Sequence, residues 1–255
     1  MAFEEAPLPA VNLMLNSHLG AFLMIRFAFR LFPQLAVQTL SLIGLLAIFT
    51  ALYAAFLALV AQRPRRILAL LCISQTSFIL AGLENRNVEG ITGALVHWLV
   101  VALATTSLLA VYRALEVRTT EVDRPAGFLG LGFHAPRLAV FFAIGALTLV
   151  GLPGTLGFAA EDLLFHGALE SHPLLGFGLP LATALNAITS LKLLSTLFLG
   201  RRGIHVPPIP DACWMERFAL TVPVVILVVG GISPSLFVNL REPSAHWIAA
   251  LLAGR

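Results

Sequence analysis

Gly151-Leu152-Pro153-Gly154-Thr155-Leu156-Gly157-Phe158-Ala159-Ala160-Glu161-Asp162 breaks a pattern that the surrounding sequence keeps. An apolar run from Leu138 to Val150 leads into it, and another apolar run continues beyond it. Gly151, Pro153, Gly154 and Gly157 interrupt the helix, and the acids Glu161 and Asp162 follow at once. As a helix, Leu138 to Val150 rises only about 20 Å, short of the ~30 Å hydrocarbon core. The break is therefore expected inside the membrane, where irregular backbone is tolerated only if buried in protein or lining a wet cavity. Half-helix ends beside intramembrane acids are the usual pointer to an ion pathway. The alternative is a Pro-Gly loop joining two ordinary helices near the surface, which would leave both acids in unusually apolar company.

Composition supports the membrane reading. Of 255 residues, 58% are hydrophobic and 11% charged, with a mean hydropathy of +0.92, whereas a soluble domain carries about 25% charged residues. The expected fold class is all-α, a polytopic membrane protein of about seven transmembrane helices with one broken helix. The net charge of +3 and pI near 9.4 say little about nucleic acid, because the basic residues fall in short connections beside apolar segments. Cys72 and Cys213 lie far apart and outside any metal-ligand spacing, so neither a metal nor another cofactor is expected. The first residues are acidic (Glu4, Glu5), unlike a cleavable signal peptide.

In chain order, the segments are expected at about Ala10–Leu31, Ala36–Ala61, Ile67–Leu83, Ile91–Ala114, the broken fifth, Leu175–Leu199 and Phe218–Leu240. Asn12, Asn16, Ser17 and His18 make one stripe of the first polar. The second is almost wholly apolar, suited to lipid or to packing on small residues. The third holds Ser74, Gln75, Thr76 and Ser77 in one turn. The tail, Ser244 to Leu252, is too short to span and suits the interface. Arg63, Arg65, Arg66, Arg118, Arg124, Arg137, Arg201, Arg202 and Arg217 collect on one side, against Arg30, Arg86 and Arg241 on the other. The positive-inside rule then places the N-terminus in the cytoplasm and the C-terminus outside.

Lys192, the single lysine, lies mid-helix in an apolar segment. It either snorkels to the interface or serves a proton relay, since burial and neighbouring charge tune a lysine readily. Glu161 and Asp162 point about 100° apart around a helix, so at most one faces a pathway fully. Asp162 and His166, four apart, can pair. His97, on the apolar fourth segment, is either hydrogen-bonded to a neighbouring carbonyl or functional, and His18 reads the same way. His134, His172 and His205 fall in connections and read as ordinary.

Glu5-Ala6-Pro7-Leu8-Pro9 leading into a polar helix resembles the EAPTP-type lead-in of the antiporter-like membrane subunits of respiratory complex I, membrane-bound hydrogenases and Mrp-type sodium/proton antiporters. Arg65-Arg66-Ile67-Leu68-Ala69 with Ile73-Ser74-Gln75-Thr76-Ser77-Phe78 is similar to their KRLLAYSSISQ.GF element. Gly151 to Asp162 resembles LPGT.GF..E, and Asn186 to Gly200 resembles N....LR....FLG. These elements follow one another in the family's order over nearly the whole chain, a combination more specific than any one of them.

The resemblance implies a fold of about fourteen helices containing two inverted five-helix repeats, of which this chain matches the last seven helices. One integral membrane domain over 1–255 follows, with 36–200 as one repeat and 201–255 as a terminal helix and tail. The missing first repeat implies a split subunit whose other half is a separate chain, or a truncated product. Carried over, Glu161 matches the acid after the helix break, Lys192 a basic position of the next helix, and His18 a position that is often lysine or asparagine. On the fourth helix the family's histidine and lysine-type positions fall on Val101 and Ala104, with His97 one turn earlier on the same face.

The implied function is a proton-conducting subunit of a membrane transport or respiratory-type complex, using Glu161, Lys192, His97, His18 and Asp162. The alternatives are a non-conducting structural anchor and a proton-coupled subunit of an inorganic-carbon uptake complex. Expected partners are membrane lipid, other membrane subunits and a soluble companion, without nucleic acid. No nucleotide loop or catalytic triad order supports a stand-alone enzyme.

Overall fold

The computed structural model describes residues 19–123, 125, 127–200 and 208–253, and these form a bundle of helices. Helix α1 covers residues 19–31, with a π-helical stretch at Met24–Ala28. It is followed by α2 (Pro33–Val60), α3 (Pro64–Glu84), α4 (Val88–Arg118), α5 (Pro136–Leu149), α6 (Leu156–Ser171), α7 (Pro173–Phe198), α8 (Trp214–Ile232) and α9 (Pro234–Leu252). Five of these, α2, α3, α4, α7 and α8, are long and apolar enough to cross a membrane. The expected first segment is described only from residue 19, so His18 lies outside the described residues.

Proline sets many of the boundaries. Pro33, Pro64, Pro136, Pro173 and Pro234 each open a helix, where the missing N–H costs nothing and φ is already helical. Asn87 caps α4 by accepting the Gly90 N–H at 2.8 Å. Asp211 receives the backbone N–H groups of Arg137 and Leu138, both at 3.3 Å, at the start of α5, where the helix dipole favours an anion.

Helix α4 is the central post, packed against α3, α5, α6, α8 and α9. Helix α2 presents a small-residue face of Gly44, Ala47, Ala51, Ala54, Ala55 and Ala58 to the bundle, which lets α3 approach closely. Its large side chains, among them Leu42, Leu46, Phe49 and Phe56, point outward.

The arginines sort to the two ends of the bundle. At one end Arg65 meets Glu116 at 3.4 Å, and Arg118 holds both oxygens of Glu216 at 2.7 and 2.9 Å. Arg137 lies 3.9 Å from Asp211 at the same end. At the other, Arg86 donates to the Val37 carbonyl and Ser41, and Arg30 stacks over Trp247. Arg124, Arg201 and Arg202 lie outside the described residues.

The last helices differ from expectation. The segment expected to reach Leu240 stops at Ile232, because Ser233 precedes a proline and is forced out of helical geometry (φ −129°, ψ 71°). A new helix, α9, begins at Pro234 and takes in the stretch expected to lie along the interface. It packs instead against the bundle, with Ala245, Ile248 and Leu252 buried in a cluster with Phe29, Leu40 and Ile91.

The helix break stands between Leu149 and Leu156. Gly151 (φ 68°) and Gly154 (φ 89°) both take left-handed backbone, which side-chain-bearing residues resist. Gly157 packs directly on the Thr148 carbonyl oxygen, and Gly231 of α8 lies on the Gly154–Thr155 backbone. A methyl group at Gly157 meets immovable backbone, whereas one at Gly154 meets open space. Gly157→Ala is therefore expected to cost about 3 kcal/mol by overpacking. Gly154→Ala should cost only about 1–2 kcal/mol of left-handed strain. Thermal unfolding of the two variants side by side in detergent checks this, and equal midpoints would contradict the close approach.

Candidate functional site

Two polar side chains, Ser74 and Asn186, tie α2, α3 and α7 together near mid-bundle. Ser74 donates to the Ala51 carbonyl at 2.9 Å and accepts from the Asn186 amide at 2.8 Å. Thr189, one turn further on α7, is also buried but donates to its own helix at the Leu185 carbonyl. Thr76 and Ser77 likewise turn back to the carbonyls of Cys72 and Ile73. Of the polar turn on α3, Ser74 and Gln75 are therefore the two that face other helices.

Glu161 enters this layer from α6 and is 4% exposed. Its position depends on the break: a side chain at Gly151 would place its Cβ 2.5 Å from Glu161 Oε2. The left-handed glycine thus both turns the chain and leaves room for the carboxyl. The carboxyl faces the Gln75 amide and the Thr183 hydroxyl. It closes a direct hydrogen bond onto neither: Gln75 Oε1 and Nε2, Glu161 Oε1 and Thr183 Oγ1 are all buried without a protein partner. Asn186 Oδ1 and Ser190 Oγ on α7, and Thr148 Oγ1 at the break, share that condition. Among the described residues Glu161 forms no ion pair.

A buried polar atom without a partner costs about 1–3 kcal/mol, and native proteins normally satisfy such atoms, with ordered water where protein does not reach. Six such atoms, on Gln75, Thr183, Asn186, Ser190 and Thr148, together with Glu161 Oε1 itself, form a seam suited to water, not a packed core. Chemically, a carboxyl among neutral donors and acceptors can take up and release a proton without breaking a salt bridge.

His97 joins the seam through Gln75 rather than through Glu161. It is fully buried, stacks on Phe78 with ring centres 5.5 Å apart, and brings Nε2 within 3.3 Å of the Gln75 carbonyl oxygen. Gln75 therefore touches His97 with its backbone and faces Glu161 with its side chain. Val101 and Ala104, on the same helix, are buried in the apolar core.

The remaining candidates lie elsewhere. Lys192 does not meet Glu161: its exposed ammonium donates to the Leu59 and Ala61 carbonyls at 2.9 and 3.0 Å, closing the end of α2. Nine residues separate it from Thr183, about 13 Å along α7. Asp162 stands on the exposed face of α6, turned away from the seam, with His166 Nδ1 3.5 Å from its carboxylate. The 100° between neighbours on a helix puts one acid in and the other out, as the spacing of the two led one to expect. Gln75, Thr183 and Ser190 received no role from sequence reasoning, although Gln75 sits in the polar turn that signalled the helix.

A buried acid was also missed. Glu84, the last residue of α3, is 2% exposed, and His172 Nε2 lies 3.0 Å from its Oε1. In sequence Glu84 reads as the start of a loop and His172 as an ordinary loop histidine. Their meeting across 88 positions has no local signal.

Comparison with known proteins bears on this geometry. Residues 1–186 match the family described as NADH:quinone oxidoreductase/Mrp antiporter, TM. Subunit 13 of the NADH-quinone oxidoreductase of Thermus thermophilus is 32% identical over 237 residues, covering 92% of this chain and 49% of that protein. Subunit M of the enzyme from Mycobacterium tuberculosis is 28% identical over 247 residues, covering 96% and 44%. Among solved structures, a chain of respiratory complex I from Thermus thermophilus with bound NADH superposes with a TM-score of 0.82 at 28% identity. That match covers 91% of this chain and 49% of the other. A chain of the archaeal membrane-bound sulfane sulfur reductase shares the fold, with a TM-score of 0.83 at 20% identity over 98% and 51%. The chain spans about half the length of the curated relatives it matches. With a broken helix at the family's glycine-rich element and a membrane-buried acid against it, this all-helical membrane protein belongs to the NADH:quinone oxidoreductase/Mrp antiporter membrane family.

Proposed function

We propose that this chain is a proton-conducting membrane subunit of a respiratory-type or transport complex, with Glu161 as its central exchange group. The observation that carries the reading is the seam of buried, unpaired polar atoms around that carboxyl. Water held there connects Glu161 to Gln75 and Thr183 and runs along α7 past Asn186 and Ser190 toward Lys192. His97 is a branch of the same network, joined through the Gln75 carbonyl. A proton arriving at the carboxyl from one side leaves to the other as the water chain rearranges. Lys192 at the end of α2 supplies a positive charge at one mouth.

In this reading 1–255 act as one membrane domain, with 36–200 as a single repeat. A first repeat, on the same or another polypeptide, completes the conducting unit. The relatives include subunits of NADH-quinone oxidoreductases, which supports membrane partners for this chain as well. The arginine-rich end, carrying Arg63, Arg65, Arg66 and Arg118, faces the cytoplasm under the positive-inside rule. The broken helix and the acid suit conduction better than an anchoring role, which needs neither.

Adjacent acids give a sharp test. Proton flux through the complex, purified from its own membrane and reconstituted in vesicles, is followed with a pH-sensitive dye. Glu161→Gln should lower it by roughly 10²-fold or more, the scale of a positioned proton-transfer group. Asp162→Asn, one residue away on the exposed face, should leave flux unchanged. Equal loss in both variants would point to a general disturbance of α6, and no loss in either would remove the conduction reading.

Gln75 provides a second test, because it joins Glu161 to His97. Gln75→Leu keeps the volume but removes the amide's donor and acceptor, so flux should fall while the complex still assembles. Gln75→Glu restores hydrogen-bonding capacity and should recover part of it. If assembly itself fails in Gln75→Leu and flux per assembled complex is normal, Gln75 serves packing alone.

A further inference from the structure

We propose that Glu84 and His172 form a second proton-exchange site, at the end of the bundle opposite Lys192. The inference rests on the conduction reading and adds the station through which protons pass between the membrane interior and one aqueous face.

Glu84 is an expensive residue where it stands. It ends α3, where the helix dipole disfavours an anion, and it is 2% exposed. One oxygen meets His172 Nε2 at 3.0 Å, and the other, Oε2, is buried without a protein partner. His172 is half exposed, with a side-chain exposure of 51%. One member of the pair thus reaches solvent while the other points into the bundle. That is the arrangement a transfer group needs, and it is a poor one for a stabilising ion pair, since a buried charge pair seldom repays its desolvation.

The surroundings are built around the carboxyl. Gly44 of α2 leaves room for it, since a Cβ there would sit 2.5 Å from Glu84 Cγ. Arg86 takes left-handed backbone (φ 58°), an uncommon conformation for a residue with a side chain. In that conformation it reaches back to α2, donating to the Val37 carbonyl at 2.9 Å and to Ser41 at 3.1 Å. Ser41 in turn faces Glu84. The α3–α4 loop is stapled to the end of α6: Asn87 donates to the Gly167 carbonyl at 2.9 Å, and Ser171 donates to the Asn85 carbonyl at 2.7 Å.

The charged groups facing Glu84 are His172, from the α6–α7 junction, and Arg86, from the α3–α4 loop. Helix α2 contributes only Ser41 and the open space at Gly44. The nearby acids face other groups, Glu170 toward Asn87 and Glu89 toward His166.

The transfer is simple in its accounting. A proton on the Glu84 carboxyl crosses to His172 Nε2, leaving a carboxylate beside an imidazolium. The imidazolium gives a proton to bulk water, and the carboxylate is refilled from the interior. Histidine is suited to the outer step because its ring can accept a proton at one nitrogen and release one from the other. Between this pair and the Glu161 seam lies an apolar layer that includes Ala47, Phe78, Ala81, Ala94, Leu164 and Leu179. Gln75 and Glu84 are nine residues apart on α3, about 14 Å, so passage requires transient wetting of that layer.

The test uses the complex purified from its own membrane and reconstituted in vesicles, with flux measured against pH and divided by assembled complex. Glu84→Gln is expected to lower flux by roughly 10²-fold, while Glu84→Asp recovers most of it. His172→Gln is expected to lower flux and to change its dependence on pH. If Glu84→Gln conducts like the unsubstituted complex while Glu161→Gln does not, this site fails and the conduction reading stands. If Glu84→Gln does not assemble, the His172→Gln profile decides, and an unchanged profile overturns the site. If the unsubstituted complex carries no flux, both readings fall.

Discussion

Inside a bilayer every backbone N–H and C=O has to find its partner within the protein, and the stretch between α5 and α6 is where this chain meets that demand under most difficulty. Two glycines in left-handed backbone carry it through the turn. Thr155 donates its hydroxyl to the Leu152 carbonyl at 2.7 Å, and the Leu152 N–H reaches back to Leu147 at 2.9 Å. The packing of α6 follows from that turn. Gly157 can sit on Thr148, Gly231 of α8 can sit on the turn itself, and Glu161 is delivered against Gly151 instead of toward lipid. The acid, the break and the contact with α8 are therefore one feature.

Polar groups in this bundle fall into two kinds. Thr39, Thr50, Thr76, Ser77, Thr105, Thr106 and Ser107 all return their hydroxyls to carbonyls of their own helix. They are satisfied locally and ask nothing of other helices. Ser74, Asn186, Gln75, Thr183 and Glu161 face across helices, and several of their atoms have no protein partner at all. The distinction separates polar residues that a membrane helix tolerates from those it holds at a cost. The second group lies in one layer, at the height of the helix break.

Much of the fold was legible because its signals are local. Apolar length marks α2, α3, α4 and α7, proline marks where helices begin, and Gly151 to Gly157 mark the break. The misplaced end of α8 had its signal in Ser233-Pro234, since the residue before a proline is pushed out of helical geometry. The site was half legible. Glu161 stood out as an acid after a break, and His97 as a histidine in an apolar run. Which of Glu161 and Asp162 faces inward depends on the rotation of α6, which packing against α4 and α7 decides. Lys192 was visible as an intramembrane lysine, but its attachment to the end of α2 depends on how α7 lies against α2. Glu84 and His172 carried no local signal, since neither residue type is unusual at the end of a helix.

The apolar layer between the Glu161 seam and the Glu84–His172 pair has an electrical consequence. Polar, hydrated regions respond to a field and carry little of a voltage drop, whereas a dry, weakly polarisable slab carries most of it. With the Glu161 seam and the Glu84–His172 pair hydrated as proposed, the dry slab would be only a part of the membrane's thickness, and the local field across it would be steeper than the average across the bilayer. A charge moved across a whole membrane gains about 2.3 kcal/mol per 100 mV, and along the proposed path most of that work would be done over the stretch around Phe78, Ala81 and Leu164. Small changes of shape or volume at those residues would therefore alter the voltage dependence of the protein while leaving its ionisable groups untouched.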